Sequence, residues 1–405
     1  MKVFVVNCGS SSIKYQLFSM TTQAVLAKGL MERVGSTDAI LKHQCGGEKF
    51  EQAVSAADHG VGMRIILDAM VDPQLGGVLK NVDEIQAVGH RVVHGGEKMH
   101  ESRLIDDEVV KVIRDNFALA PLHNPPNLLG IEAARAAMPN VPNIAVFDTA
   151  FLSTLPPKAF RYAVPSEWYT KHRVRRYGFH GTSHRYVTLR TAELLGKPVD
   201  QVNLITCHLG NGCSMTAVAN GKAVDHSMGM TPLEGLVMGT RSGDIDPAIV
   251  FYMSTCGLKP DQIDNALNKK SGLLGLSELS NDMRDLLTAA GGGNAKAQLA
   301  VDVFVYRIVK YIGSYFMALP SVDAVVLTGG VGENSLPVRK MIVQGLSRLG
   351  AAGDEHLNHD TIGGKAGAIT TPKSKLPVWI VPTNEELMIA RDTAQLVEKM
   401  GVKAK

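Results

Sequence analysis

Two arginines stand where a cation can meet phosphate. Arg91 lies in Gly89-His90-Arg91-Val92-Val93-His94-Gly95-Gly96, and Arg241 in Met238-Gly239-Thr240-Arg241-Ser242-Gly243-Asp244. An arginine set among glycines and apolar residues is less often a plain surface charge than one on a polar helix face. Its planar guanidinium can hold a carboxylate or a phosphoryl group through two hydrogen bonds. Asp148 closes the apolar run Ile144-Ala145-Val146-Phe147, and Glu385 follows a second such run at 378–381. Carboxylates at strand ends suit a hydrated Mg²⁺, which keeps several waters and takes one or two carboxylates. As isolated acids, both are more often caps or solvated groups. His180 and His184 have the i, i+4 spacing of a zinc pair, but no His-Glu-x-x-His acid is present and Gly181 favours a helix start, so zinc is disfavoured. The basic run 171–176 just upstream is read as a solvated face.

Phosphates must be held without a Walker A loop, and no Gly-x-Gly-x-x-Gly opens a helix after a strand. The turns Cys8-Gly9-Ser10-Ser11-Ser12 and Gly210-Asn211-Gly212 offer small residues whose amides can converge on an anion. Facing each other, two such turns would clamp a polyphosphate; alone, either is a plain hairpin turn. Leu327-Thr328-Gly329-Gly330-Val331-Gly332-Glu333-Asn334 follows an apolar strand and precedes a helix, so a ligand or simply a packed helix can approach its backbone. Ser280-Asn281-Asp282-Met283-Arg284-Asp285 is equally readable as an acid-rich helix N-terminus.

The elements that must position these residues alternate in an α/β pattern. Short β-branched runs fall at 3–6, 144–147, 204–207, 324–327 and 378–381, with amphipathic helices expected at 298–319, 337–348 and 385–399. Placing Gly9 against Gly210 aligns two strand-turn-strand units, continued by second strands at 13–18 and 214–218 and third strands at 24–29 and 222–226. The alignment reads as a duplicated domain or as two unrelated hairpins. A chain of 405 residues is long for one domain and suits two. The boundary is placed near residue 150, giving an N-terminal domain at 1–149 and a C-terminal domain at 150–385, with 386–405 docking back onto the first. A net charge of +3 without a basic cluster argues against a nucleic-acid partner. Five cysteines without a Cys-x-x-Cys pair argue against a disulfide framework. No stretch matches a signal peptide or a membrane span, which points to a cytoplasmic protein and no membrane partner.

In their order and spacing the blocks resemble the acetate kinase family over essentially the whole chain. They are Asn-Cys-Gly-Ser-Ser-Ser-Ile-Lys at 7–14, His-Arg-Val-Val-His-Gly-Gly at 90–96, Phe-Asp-Thr-Ala-Phe at 147–151 and Arg-Tyr-Gly-Phe-His-Gly-Thr-Ser-His at 176–184. His-Leu-Gly-Asn-Gly at 208–212, Met-Gly-Thr-Arg-Ser-Gly-Asp at 238–244 and Thr-Asn-Glu-Glu at 383–386 complete the set. The resemblance implies two duplicated actin-like, ribonuclease H-like ATPase domains with a cleft between them, and a homodimer. It implies reversible transfer of the ATP γ-phosphoryl group to acetate, giving acetyl phosphate and ADP, dependent on Mg²⁺ with Mn²⁺ able to substitute. Arg91, His180 and Arg241 would then surround the phosphoryl group, Asp148 would be the essential carboxylate, and Asn7 and Glu385 would place the metal. Nucleotide would lie against Ser12, Lys14, the turn His208, Leu209, Gly210, Asn211 and Gly212, then Asp282, Met283 and Arg284, and Gly330, Val331, Gly332, Glu333 and Asn334. Val93, Leu122, Phe179 and Pro232 would line the methyl pocket.

Phosphoryl transfer is chiefly a matter of alignment and charge stabilisation, and two arginines with a histidine meet that need. Acetate is already ionised at neutral pH, so Asp148 is better read as positioning Arg91 or metal-bound water than as a base. Two other readings stay open. One is the same chemistry on propionate or butyrate, since one methylene shifts discrimination by only about 1–3 kcal/mol; the other is a non-transferring ATP-driven switch of the actin or chaperone type.

Overall fold

The computed structural model describes residues 1–401, which form two compact units: Met1–Phe151 with the segment from Asn384 onward, and Leu152–Thr383. The first is built on β1 (Lys2–Gly9), β2 (Ser12–Ser19), β3 (Ala24–Glu32), β4 (Ser36–Cys45), β5 (Glu48–Ala56), β6 (Ala87–Val92), β7 (Arg103–Leu104) and β8 (Asn143–Phe147). They form one sheet in the order β5-β4-β3-β2-β1-β6-β8-β7. β1 runs antiparallel to β2 and parallel to β6, and β6 runs parallel to β8. In β1, Val3 to Val6 are at most 1% exposed, as a central strand covered on both faces requires. The helices His59–Val71 and Asn124–Ala137 pack together, and Met63, Ile66 and Met70 enter a core with Ile13, Leu17 and Met31.

The helix Glu385–Lys399 belongs to this unit and packs on β1, β6 and β8. Asn384 caps it by accepting from Leu387 N at 2.9 Å. Gly89 of β6 permits the approach, because a Cβ there would overlap Thr393 Oγ1 and lie 2.8 Å from Ile389 Cγ2.

The second unit carries β9 (Leu204–Leu209), β10 (Cys213–Ala219), β11 (Lys222–His226), β12 (Ala324–Thr328), β13 (Gly367–Ala368) and β14 (Val378–Ile380), in the order β11-β10-β9-β12-β14-β13. β9 is antiparallel to β10 and parallel to β12, which is parallel to β14. Thus β3-β2-β1-β6-β8-β7 and β11-β10-β9-β12-β14-β13 share one order and one set of directions. The aligned strand-turn-strand units are the first steps of a duplicated fold rather than unrelated hairpins. β4 and β5 extend the first sheet only. A 24-residue helix, Ala295–Ala318, packs on β9 and β10 and buries Phe304, Ile308, Ile312 and Tyr315.

Candidate active site

In the first unit, the carboxyl end of β6 carries Arg91, and the residue after β8 is Asp148, whose side chain is 1% exposed. Arg91 Nη2 donates to Asp148 Oδ2, and Arg91 Nε lies 3.8 Å from Glu385 Oε2 at the first turn of the terminal helix. Nε is buried and has no hydrogen-bond partner. Burial alone would lower the guanidinium pKa, but Asp148 and Glu385 outweigh it and hold Arg91 charged above its ordinary range. Desolvation pushes the Glu385 carboxyl up to about 7, with Arg91 opposing and Asp148 and Glu386 reinforcing. The loop after β6 is pinned by side chains that the sequence reading missed. Val93 N donates to Asn127 Oδ1, His94 N to Asn124 Oδ1 and Gly95 N to Thr149 Oγ1. Asn127 Nδ2 also donates to Cys8 O in the first turn. Asn124 and Asn127 are buried amides on a helix, a pattern that could have flagged them.

Asn7 pairs with Lys14 across β1 and β2, and Ser12 ends the turn at Gly9. Val93 is buried, whereas Leu122 is 70% exposed in the turn before the helix Asn124–Ala137. Asp148, Glu385 and Glu386 together act on Arg91, with Lys14 the next cation to act on Glu385. Among the described residues no group of three or more His, Cys, Asp or Glu side chains gathers around one point, so a divalent metal here would take one or two carboxylates and the rest of its shell from a ligand and water.

In the second unit, His180 precedes the helix Gly181–Leu195 in the left-handed region, at φ 57°. Such a conformation is uncommon outside glycine and is held here by the surroundings. His180 Nδ1 meets Ser214 Oγ at 2.9 Å, and its ring lies 4.4 Å from that of His208. Ser214 Oγ also meets His184 Nε2 at 2.7 Å, while His184 Nδ1 meets Thr206 Oγ1 at 2.7 Å. His208 Nδ1 meets Ser183 Oγ at 2.8 Å. His226 Nε2 accepts from Phe179 N at 3.1 Å, which makes Nδ1, 2.9 Å from Thr216 Oγ1, the protonated nitrogen. Burial drives His184 and His226 well below the ordinary histidine pKa, so both are neutral. Both nitrogens of His184 are satisfied by hydroxyls. The hydroxyls of Ser214 and Thr216, both buried on β10, complete this network, which local sequence did not mark.

Gly212 brings the catalytic candidates of this unit together: a Cβ there would lie 3.3 Å from His180 Cε1 and 3.5 Å from Arg241 Nη2. Arg241 Nη1 donates to Pro232 O at 2.7 Å, and burial lowers its pKa. Asn211 of the same turn accepts at its carbonyl from Gly239 N at 2.9 Å and at Oδ1 from Asn281 Nδ2 at 2.9 Å. The turn, the Arg241 loop and the segment before Asp282 are therefore tied. Asp282 caps the helix Met283–Gly291 by accepting from Arg284 N at 2.8 Å, Met283 is buried, and the Arg284 side chain is exposed. Residues 330–334 lie in the short helix Gly329–Asn334 beyond β12. Glu333 Oε1 accepts from Gly329 N at 2.8 Å and Thr383 N at 3.1 Å, so this carboxylate organises the loop. The solvated-face reading of 171–176 fails at Arg176. It is half-buried, with Nη2 donating to Glu234 Oε1 at 2.6 Å and Nη1 to the carbonyls of His226 and Met228, partners too far along the chain to be read locally.

A family model described as the acetokinase family matches residues 2–391. The chain belongs to the acetokinase family. An acetate kinase of Thermotoga maritima is 55% identical over 99% of the chain and 100% of that relative. One of Clostridium novyi is 51% identical over the full length of both. Among solved structures, an acetokinase-family neighbour described as Porphyromonas gingivalis acetate kinase matches with a TM-score of 0.94 and 46% identity, covering 98% of the chain and 99% of its own. A propionate kinase from Francisella tularensis matches with a TM-score of 0.90 and 40% identity, covering 97% and 99%.

Proposed function

We propose that this protein catalyses the reversible, Mg²⁺-dependent transfer of the ATP γ-phosphoryl group to acetate, giving acetyl phosphate and ADP. The observation that carries the reading is the buried Arg91 guanidinium, its Nε without a hydrogen bond and its fork anchored by Asp148, in a chain 51–55% identical to acetate kinases over its length. An acetate oxygen forms the new bond to Pγ as the bond from Pγ to the bridging oxygen breaks, and the electron pair leaves with ADP. No proton needs to move, since the acceptor is a carboxylate at neutral pH. Arg91 orients the transferring group, with Asp148 fixing the guanidinium plane. His180 and Arg241 supply donors to equatorial oxygens on which charge spreads. Asn7 and Glu385 would hold Mg²⁺, or Mn²⁺ in its place, whose chemistry when bound is to draw charge from the nucleotide oxygens.

In this reading Ser12, Lys14 and the 208–212 turn receive phosphates, while 282–284 and 330–334 receive the nucleoside. Val93, Phe179 and Pro232 contact the acyl methyl group, joined by Leu122 only on a ligand-bound surface. We further infer a cytoplasmic homodimer; in support, no helix among the described residues is long and apolar enough to cross a membrane, and Phe251 and Tyr252 are 72% and 67% exposed.

Trapping acyl phosphate as its hydroxamate tests the activity. Hydroxamate formed from ATP, acetate and Mg²⁺, and lost on chelation, is the expected outcome; release of free phosphate alone would leave an ATPase switch. A kcat/KM for acetate about tenfold or more above that for propionate is expected from one methylene in a tight pocket.

A further inference from the structure

Between Arg176 and the helix Ala295–Ala318, the second unit carries an open cavity of about 300 Å³ that the proposed reaction does not use. Arg307, Lys310, Tyr311, Ser314 and Tyr315 line it at the i, i+3, i+4, i+7, i+8 spacing of a single helix face. Two donors at its wall are buried and unsatisfied. Tyr315 is 2% exposed and its hydroxyl has no partner, and Arg176 Nε has none although both Nη atoms are engaged. A buried donor left unpaired costs about 1–3 kcal/mol, so two together point to an acceptor that belongs there.

The charges narrow its chemistry. Neither Arg307 nor Lys310 forms an ion pair among the described residues; Lys310 only approaches the Tyr306 ring, at 5.5 Å. Both acids in the wall accept hydrogen bonds from protein donors. Asp244 accepts from Tyr311 Oη at 2.6 Å and Gly235 N at 2.8 Å, and Asp225 accepts from His226 N at 2.7 Å. Arg307 and Tyr315 stand eight residues apart, roughly 12 Å along a helix axis. One anionic group cannot serve donors at both ends, whereas a short chain with a carboxylate at each end can.

We propose that this cavity binds a small dicarboxylate, one carboxylate received by Tyr315 Oη and Arg176 Nε, the other by Arg307 and Lys310. Occupancy is expected to reach the catalytic segment through Arg176. That arginine holds the carbonyls of His226 and Met228, and His226 Nε2 receives the Phe179 amide beside His180.

Calorimetric titration of the full-length protein with succinate, inorganic phosphate and acetate tests the proposal. Succinate should bind once per chain. Tyr315→Phe, which removes only the hydroxyl, should weaken it about tenfold, and Arg307→Gln with Lys310→Gln at least as much, as expected for hydrogen bonds to a charged group. Circular dichroism should be unchanged in both. Arg241→Ala should keep succinate binding, which separates this site from the proposed catalytic one, and succinate should slow amide exchange at 177–179. Four results would each overturn the proposal: no succinate binding at millimolar concentration, equal binding in the cavity variants, loss of binding in Arg241→Ala, or phosphate binding as tightly as succinate.

Discussion

Arg91 combines two roles that different substitutions can separate. Its side chain neutralises the almost fully buried Asp148 and keeps an Nε that makes no hydrogen bond. Arg91→Ala should therefore lower stability by about 3 kcal/mol, because a buried carboxylate loses its counter-charge, and cut kcat/KM by roughly 10²- to 10³-fold. Arg91→Lys keeps the charge but not the fork. It should retain most of the stability while still losing about 10²-fold in rate. Equal losses for both variants in chemical denaturation and in rate would contradict this division. His184 offers a pH test. Buried, and next to His226 and His208, it stays neutral in the fold, whereas the unfolded chain protonates it below its ordinary value of 6.5. Its contribution is therefore intact above pH 6.5 and lost as pH falls, at about 1.4 kcal/mol per unit. In His184→Gln that dependence is absent, so the stability gap to the wild type should narrow by about this amount per unit between pH 6.5 and 5. A gap constant across that range would show that His184 is not held neutral. Arg91 and Asp148 stood out in the sequence because glycines and a strand end mark them locally, whereas the role proposed for His180 came only from the family resemblance. Arg176 did not stand out, since its partners lie 50 to 58 residues away.

At the scale of elements, the β9–β10 turn separates catalysis from architecture. Gly212→Ala adds a methyl group at 3.3 Å from His180 Cε1 and 3.5 Å from Arg241 Nη2, distances that side chains can absorb with small shifts. The expected outcome is an unchanged Tm with kcat lowered about tenfold or more, because the methyl group fills the space where, in the proposed reaction, His180 and Arg241 would meet the phosphoryl group. Gly239→Ala behaves differently. Its Cβ would overlap Asn211 Oδ1, so the Asn211 side chain must swing away from Asn281 Nδ2 and untie the turn from the segment before Asp282, and both Tm and activity should fall. Parallel thermal melts and initial rates check the contrast; a Gly212→Ala protein that melts as early as Gly239→Ala would refute it. The repeat behind this turn was visible in sequence because each copy begins with the same apolar strand and small-residue turn. The network beneath it was less visible, since Ser183, Ser214 and Thr206 become informative only once folding sets their hydroxyls against histidine nitrogens. The added strands β4 and β5 had no counterpart in the other half and so no repeat to reveal them.

For the whole molecule, the helix Ala248–Thr255 poses the remaining problem. Its sequence, Ala-Ile-Val-Phe-Tyr-Met-Ser-Thr, is mostly apolar, yet none of its residues is buried, and Ile249, Phe251 and Tyr252 are 43%, 72% and 67% exposed. An eight-residue helix has little stability of its own in water, and a cluster of large apolar side chains facing solvent marks an interaction surface. The long helix Ala295–Ala318 likewise leaves Leu299, Tyr306 and Met317 exposed. A second copy of the chain is the occupant consistent with the proposed homodimer, because a two-fold interface covers the same patch on both partners. Phe251→Glu with Tyr252→Glu should then place charges in a desolvated interface and convert dimer to monomer in light scattering at micromolar concentration. If the wild type already scatters as a monomer there, the apolar helix must serve another partner and the dimer reading falls.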